Sequence, residues 1–374
     1  MSRLKLMIAH GKTTLWMPAL VVFLLAASLV GLILVQVGGD AMYFVRIGTY
    51  FSQGDPQGSK GYDGQFTYAI ARELQPQSAA RYLDVPAYRY QRILMPILAR
   101  LLSLGNLDLL PWVLLLIGLV SLAAVTLAVA AFMVEQNVSA WYALVLGLFP
   151  GMLLALIVDL PEPLAYALAA WGLVWLGRAK NWLAWICLGL AVFAKEVMLI
   201  FVAAAFLDYI GRKDYRSALG LILITAFPFV LFQLWLFGQF GHFGIGSGGD
   251  MATPFEWIPF MGLMRIAAYS LPYFLAMLLV FGPSILLPAI WGLWVSFRTW
   301  IQGERNVIVL ALGLNALSIL AMPFSTFRET GGLLRYMVGL VLMVLLFAGR
   351  YQKLRVLNYS VFWLVLNVFL LKGW

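Results

Sequence analysis

Between Gly38 and Arg92 the chain gathers five of its sixteen acidic residues, Asp40, Asp55, Asp63, Glu73 and Asp84, and six basic ones, Arg46, Lys60, Arg72, Arg81, Arg89 and Arg92. Carboxylates held near a surface can take a proton from an attacking hydroxyl. Guanidinium groups grip phosphate in a two-pronged fork. Held beside a very apolar body, the two together point to chemistry on a charged lipid headgroup. Asp63 is the first candidate for a general base. Gly61 and Gly64 flank Tyr62-Asp63, and the aromatics and Ile70 of the following Gln65–Ala71 run can anchor a helix. The plainer role for Asp63 is to cap that helix. Asp40, at the end of the first apolar run, is the rival acid or a metal ligand, and its plainer role is to end a helix. Tyr62 and Gln65 flank Asp63 as candidate substrate contacts.

Four later motifs could complete such a site. Tyr88-Arg89-Tyr90-Gln91-Arg92 puts Arg89 and Arg92 on one helical face, suited to phosphate; snorkelling to the interface is the alternative. Arg81 and Asp84 are expected to pair with each other. Asp159-Leu160-Pro161-Glu162-Pro163 is a stiff acidic turn, with Pro163 in a first helical turn. It suits an amine, a sugar hydroxyl or a cation, or is an ordinary capped loop. Lys195-Glu196 interrupts the apolar run AVFAKEVMLIF. A charge at bilayer centre costs about 2.5–3.5 kcal/mol on insertion scales, so this pair is expected to serve function, with Lys195 meeting a phosphate. Adjacent helical residues diverge, so direct pairing of the two is poor. Arg328, Glu329 and Arg335 lie in a last polar loop, where the two arginines are candidates for a phosphate or diphosphate.

The elements that must carry these residues are set by composition. Hydrophobic residues make up 63% of the 374, charged residues 11%, and mean hydropathy is +0.92. The apolar runs do not alternate, which excludes a transmembrane barrel and leaves helices. The fold class expected is an all-α polytopic membrane protein: a single transmembrane domain over 1–374 with about eleven spans. These are 16–38, 110–133, 140–158, 162–177, 181–194, 197–210, 217–238, 270–297, 306–323, 333–349 and 355–371. Residues 39–109 form a long first extracytoplasmic loop with interfacial helices, one of them at 93–105. Residues 239–269 form a second, Gly-rich loop containing His242, which reads as loop only.

The stretch 181–210 could be one tilted helix or two short ones. Two crossings place Arg178 and Lys180 on the same side as Arg212, Lys213 and Arg216, as the bias of basic residues to the cytoplasm favours. The N-terminus, with Arg3, Lys5 and Lys12 before the first span, is then cytoplasmic, and the span is a retained signal anchor. The polar motifs fall on the outer face of an inner or plasma membrane. The net charge of +9 is scattered beside the spans, so no nucleic-acid partner is expected. Cys187 cannot form an intramolecular disulfide, and His10 and His242 have no cysteine partners that would make a zinc motif.

The run Asp63-Gly64-Gln65-Phe66-Thr67-Tyr68-Ala69-Ile70-Ala71, the downstream RYQRILMP, the turn Asp159–Pro163, Lys195-Glu196 and the span count together resemble the GT-C glycosyltransferases. Within that family they are notably similar to mannosyltransferases of the GPI-anchor type and their bacterial relatives. Tyr62 stands where that motif usually has Trp, and the usual Phe-Phe-Pro is absent. The resemblance implies a membrane enzyme, a hexosyl- or pentosyltransferase. It would move sugar from a polyprenyl-phosphate donor to a lipid or glycan acceptor by inverting displacement, with a loop carboxylate as base. It implies no redox cofactor; a metal is possible but no motif indicates one. The alternative class is a transporter or flippase of a lipid-linked or anionic substrate; a structural subunit of a membrane complex is a third.

Overall fold

The computed structural model describes residues 15–372, so the basic N-terminal residues and His10 lie outside the described residues. The described chain is helical, without a strand among the described residues. Its main helices are α1 Met17–Gln36, α2 Gly64–Arg72, α3 Leu94–Leu102, α4 Leu110–Glu135, α5 Pro150–Ile157, α6 Glu162–Gly177, α7 Asn181–Ala194, α8 Leu199–Gly211, α9 Tyr215–Phe240, α10 Leu271–Ile301, α11 Val307–Leu320, α12 Thr330–Arg350 and α13 Leu354–Leu371. Each of the eleven expected spans therefore contains helix.

Six of these, α1, α4, α9, α10, α12 and α13, are long and apolar enough to cross a membrane. A seventh arises if Ala140–Gly147 and α5, bent by 51° at their junction, count as one span. The rest of the eleven are shorter than the roughly 20 residues a crossing needs: α6 has 16, α7 14, α8 13 and α11 14. Short helices survive at membrane depth only where protein surrounds their ends. Here several of those ends meet a polar cluster.

The helices are apolar on all sides, so burial separates their positions. In α12 the hydrophobic window is 83% buried, whereas in α13 only 22% is. α12 and α4 thus form the centre, while α1, α9 and α13 face outward. Leu340–Phe347 of α12 is buried throughout and belongs to one continuous core with α4, α5, α6 and α11.

Residues 181–211 form a hairpin. Trp185 Nε1 of α7 donates to Tyr209 OH of α8 at 3.2 Å, although 24 residues separate them. In one straight helix they would stand about 36 Å apart. Lys195 ends α7 because its backbone is extended (φ −159°, ψ 124°), and Glu196–Met198 then turns the chain back. Asn181 also meets Ser217 (3.4 Å), so both ends of the hairpin lie together. Arg178, Lys180, Arg212, Lys213 and Arg216 are collected there, and Lys195-Glu196 forms the tip at the other end. Arg178 pairs with Glu135 at the end of α4, which sets α4 in the same frame.

Candidate active site

Four segments converge at the end of the bundle marked by the hairpin tip. The first carries Tyr62, Asp63, Asp84, Arg89 and Arg92. The second is the turn before α6, with Glu162 as that helix's first residue. The third is Lys195-Glu196, and the fourth is the start of α12, with Glu329 and Arg335.

Two close backbone approaches bring them together. Gly64, the first residue of α2, lies against the carbonyl of Val158, and a Cβ there would overlap that oxygen. The loop of Asp63 is thereby laid onto the acidic turn. Gly151 of α5 lies in the same way against Leu334, next to Arg335. Asp63 does not cap α2: its side chain makes no cap hydrogen bond. Its carboxylate is spent on cations instead.

Arg89 Nη2 lies 3.0 Å from Asp63 Oδ1, and Arg335 Nη1 lies 3.4 Å from Asp63 Oδ2. Arg89 also forks onto Asp84 with two bonds of 2.7 Å, and it is buried among Phe66 and Tyr88. The expected Arg81–Asp84 pair is therefore replaced by Asp84–Arg89. The reason is that Arg89, one turn into the segment Pro86–Tyr90, can reach both carboxylates from a buried position. Arg335 bridges from Asp63 to Glu162 Oε1 (3.4 Å), and Lys195 Nζ takes the same oxygen at 2.6 Å. Arg92 forks onto Glu196 (2.6 and 2.8 Å) and donates to Tyr88 OH (2.5 Å). Tyr62 OH donates to Glu329 Oε1 at 2.6 Å, while Arg335 stands over the Tyr62 ring, 5.2 Å from its centre. Lys195 and Glu196 thus each find a partner on another element rather than in each other.

Burial alone would raise the Asp63 pKa. The guanidinium of Arg89, then those of Arg335 and Arg92, overcome it and hold the carboxyl well below the usual range. Asp84 is also held low: burial pushes up, and the forked bond from Arg89 more than offsets it. Burial pushes the Tyr62 hydroxyl up, and neighbouring Glu329 adds to this. Tyr62 therefore acts as a neutral donor. A small pocket of about 20 Å³ opens between Asp63, Arg89 and Arg92 on one side and Phe66, Leu160 and Pro161 on the other.

The remaining expected site residues make no ion pair with this cluster. Asp40 accepts from the Met42 amide in an exposed turn after α1, where it closes a local loop. Gln65 is a brace: it accepts from the Gly48 amide and donates to the Lys60 carbonyl, which ties the two arms of the first loop together. Arg328 lies near the Phe324 ring and makes no ion pair among the described residues. Asp159 is buried, with a left-handed backbone (φ 51°) at the end of α5, and neither carboxylate oxygen has a partner.

Three participants lay outside the expected set. Asp84 was missed because local spacing offered it a nearer partner, and Tyr88 because its run was read for its arginines alone. The Gly-rich loop is the third. Gln233 of α9 accepts from the Gly244 and Ile245 amides (2.9 and 3.0 Å), and Asp250 donates its amide to Asp84. Lys60 pairs with Asp250 at 2.9 Å. The loop thus covers Arg89 and Asp84. Its abundance of glycine was the available signal, because only Gly249 fits against the Arg89 fork. Among the described residues no group of three His, Cys, Asp or Glu is placed to hold a metal ion. Comparisons with family models, with curated proteins and with solved structures found no match for this chain.

Proposed function

We propose that this chain is a membrane glycosyltransferase of the GT-C kind, transferring a sugar from a polyprenyl-phosphate donor to an acceptor hydroxyl, with Asp63 as general base. The supporting observation is the meeting of Asp63 with Arg89, Arg335, Glu162 and Lys195, drawn from four distant segments onto one end of an apolar helical bundle. The opposite end carries the basic clusters at 178–180 and 212–216. The bias of such clusters to the cytoplasm puts the site on the outer face. In this reading all eleven helical segments cross or enter the bilayer, α3 lies at its surface, and the sugar acceptor is a lipid or glycan.

The chemistry follows from the charges. A carboxylate between two guanidinium groups is a weak base. A donor phosphate entering beside Arg89, Arg92, Lys195 and Arg335 would draw those cations onto its own oxygens. Asp63 would then regain basicity as the acceptor hydroxyl arrives, deprotonate it, and let it attack the anomeric carbon. The bond from that carbon to the phosphate oxygen breaks, and the same cations hold the departing phosphate. Glu162 and Glu196 keep the cations in place while the site is empty of donor.

The transporter reading draws on the Lys195–Glu162 pair at the tip of a short hairpin, a feature of helices interrupted inside membranes. The confinement of the polar residues to one end of the bundle favours an enzyme instead. The test is turnover of a polyprenyl-phosphate sugar by the purified protein beside Asp63→Asn. Loss of transfer in the variant, with donor binding retained, is expected. Full turnover by Asp63→Asn removes the base, and flux of donor across proteoliposomes without transfer favours the transporter.

A further inference from the structure

The cations of the cluster are already neutralised. Arg89, Arg92, Lys195 and Arg335 each have a carboxylate within 3.4 Å, so a second anion arriving there would have to break an ion pair. Arg46 differs. It lines a second pocket of about 230 Å³ with Ile47, Gly61, Tyr62 and Val158. That is the volume of about eight waters, and more than ten times the room beside Asp63. Among the described residues no carboxylate lies within 4 Å of Arg46, and its buried Nε has no acceptor.

The local fold presents this group. Arg46 ends the short helix Met42–Val45 in a left-handed conformation (φ 57°). Its carbonyl accepts from the Tyr62 amide at 2.9 Å, which ties it to the segment before Asp63. Its guanidinium stacks over the Tyr43 ring at 4.0 Å. Stacking uses the face of the guanidinium plane and leaves the N–H groups at its edge free to donate. The other walls are apolar, and Ile47 and Tyr43 are exposed toward the outside of the bundle. A half-buried fork with no counter-charge, next to an apolar exit, matches an oxyanion carried on an amphipathic molecule.

We infer that the pocket at Arg46 is an oxyanion site for a phosphate group, separate from the paired cluster around Asp63. The site stands whether or not the chain transfers sugar. If it does, the two pockets flank Asp63 and Tyr62, and the phosphate held at Arg46 belongs to the second substrate, an anionic acceptor.

The experiment is a binding titration with the purified full chain in neutral detergent, followed by intrinsic Trp and Tyr fluorescence. The probes are farnesyl phosphate, farnesol and inorganic phosphate. The variants are Arg46→Asn, chosen because Asn tolerates the left-handed backbone, Arg46→Lys, and Arg92→Gln from the paired cluster. Farnesyl phosphate is expected to bind the native protein at least tenfold more tightly than farnesol and more weakly as salt rises. Arg46→Asn is expected to lose tenfold or more of that affinity, Arg46→Lys less. Inorganic phosphate binding with the same dependence on Arg46 identifies free phosphate as a source, whereas its failure to bind identifies a lipid phosphate. Unchanged affinity in Arg46→Asn, loss only in Arg92→Gln, or no binding by the native protein overturns the proposal. Should Arg46→Asn not fold, the salt dependence and Arg46→Lys decide alone: affinity independent of both overturns it. No outcome depends on transfer activity, so this site and the glycosyltransferase reading fail separately.

Discussion

Glu162 offers the sharpest test of how the site is held. It is 1% exposed, with Lys195 Nζ at 2.6 Å and Arg335 Nη1 at 3.4 Å on one oxygen. At an effective dielectric of about 20, those attractions are about 6 and 5 kcal/mol. Desolvation of the three groups cancels much of this. Removing one member of a buried pair typically costs about 3–5 kcal/mol, because a bare charge remains, while an apolar or neutral replacement of both is close to neutral. Glu162→Gln strands Lys195 beside Arg335 and should therefore cost about 3–5 kcal/mol. Lys195→Met leaves Glu162 with Arg335 and should cost less, about 1–3 kcal/mol, within the ordinary range for single substitutions. The double variant removes both charges, keeps the volume, and leaves Arg335 on Asp63. It should fall within about 2 kcal/mol of the native protein, the scale expected for coupled neighbours. Reversible unfolding in mixed micelles, titrated with a denaturing surfactant, measures all three. If the double variant loses the sum of the single losses, ammonium and carboxylate are not coupled and the ion-pair account of Glu162 is wrong.

Two further outcomes follow from the geometry. Gly64→Ala must push α2 off the Val158 carbonyl, so thermal stability should fall by about 1–3 kcal/mol as for other overpacked sites, and the proposed transfer with it; a native melting temperature would show that the loop does not rest on the turn. Asp63 and Asp84 both have depressed pKa values, so the stability they contribute is fully present above their unfolded values near about pH 4 and is lost as pH falls through the folded values. An unfolding series from pH 7 to pH 2 should show this loss only below about pH 4, and Arg89→Gln should flatten that acid limb.

The helical class was legible because long apolar runs permit little else. The hairpin at 181–211 was legible too, since the basic residues at both ends favoured two short helices over one, and the Trp185–Tyr209 contact matches. The membership of the cluster was half legible. Charges are scarce in this chain, so Asp63, Glu162, Lys195 and Arg335 stood out by type alone. Their pairing did not, because it depends on contacts made 33 to 272 residues apart. Asp40 and Gln65 shared the right neighbourhood, yet bonds within the first loop absorbed both. Spacing could not distinguish a carboxylate that closes its own turn from one aimed across the loop.

The long reach of these pairs also orders the birth of the site. Arg89 and Asp84 are five residues apart and can meet as soon as their segment leaves the ribosome. Arg92 must wait for Glu196, 104 residues later, and Asp63 waits for Arg335, 272 residues later. At about 5–20 residues per second that last interval is roughly 14–54 s. A truncated or stalled chain would carry the first loop folded on its own local pair and no finished site. The protein becomes competent only once nearly all of it has been made and inserted.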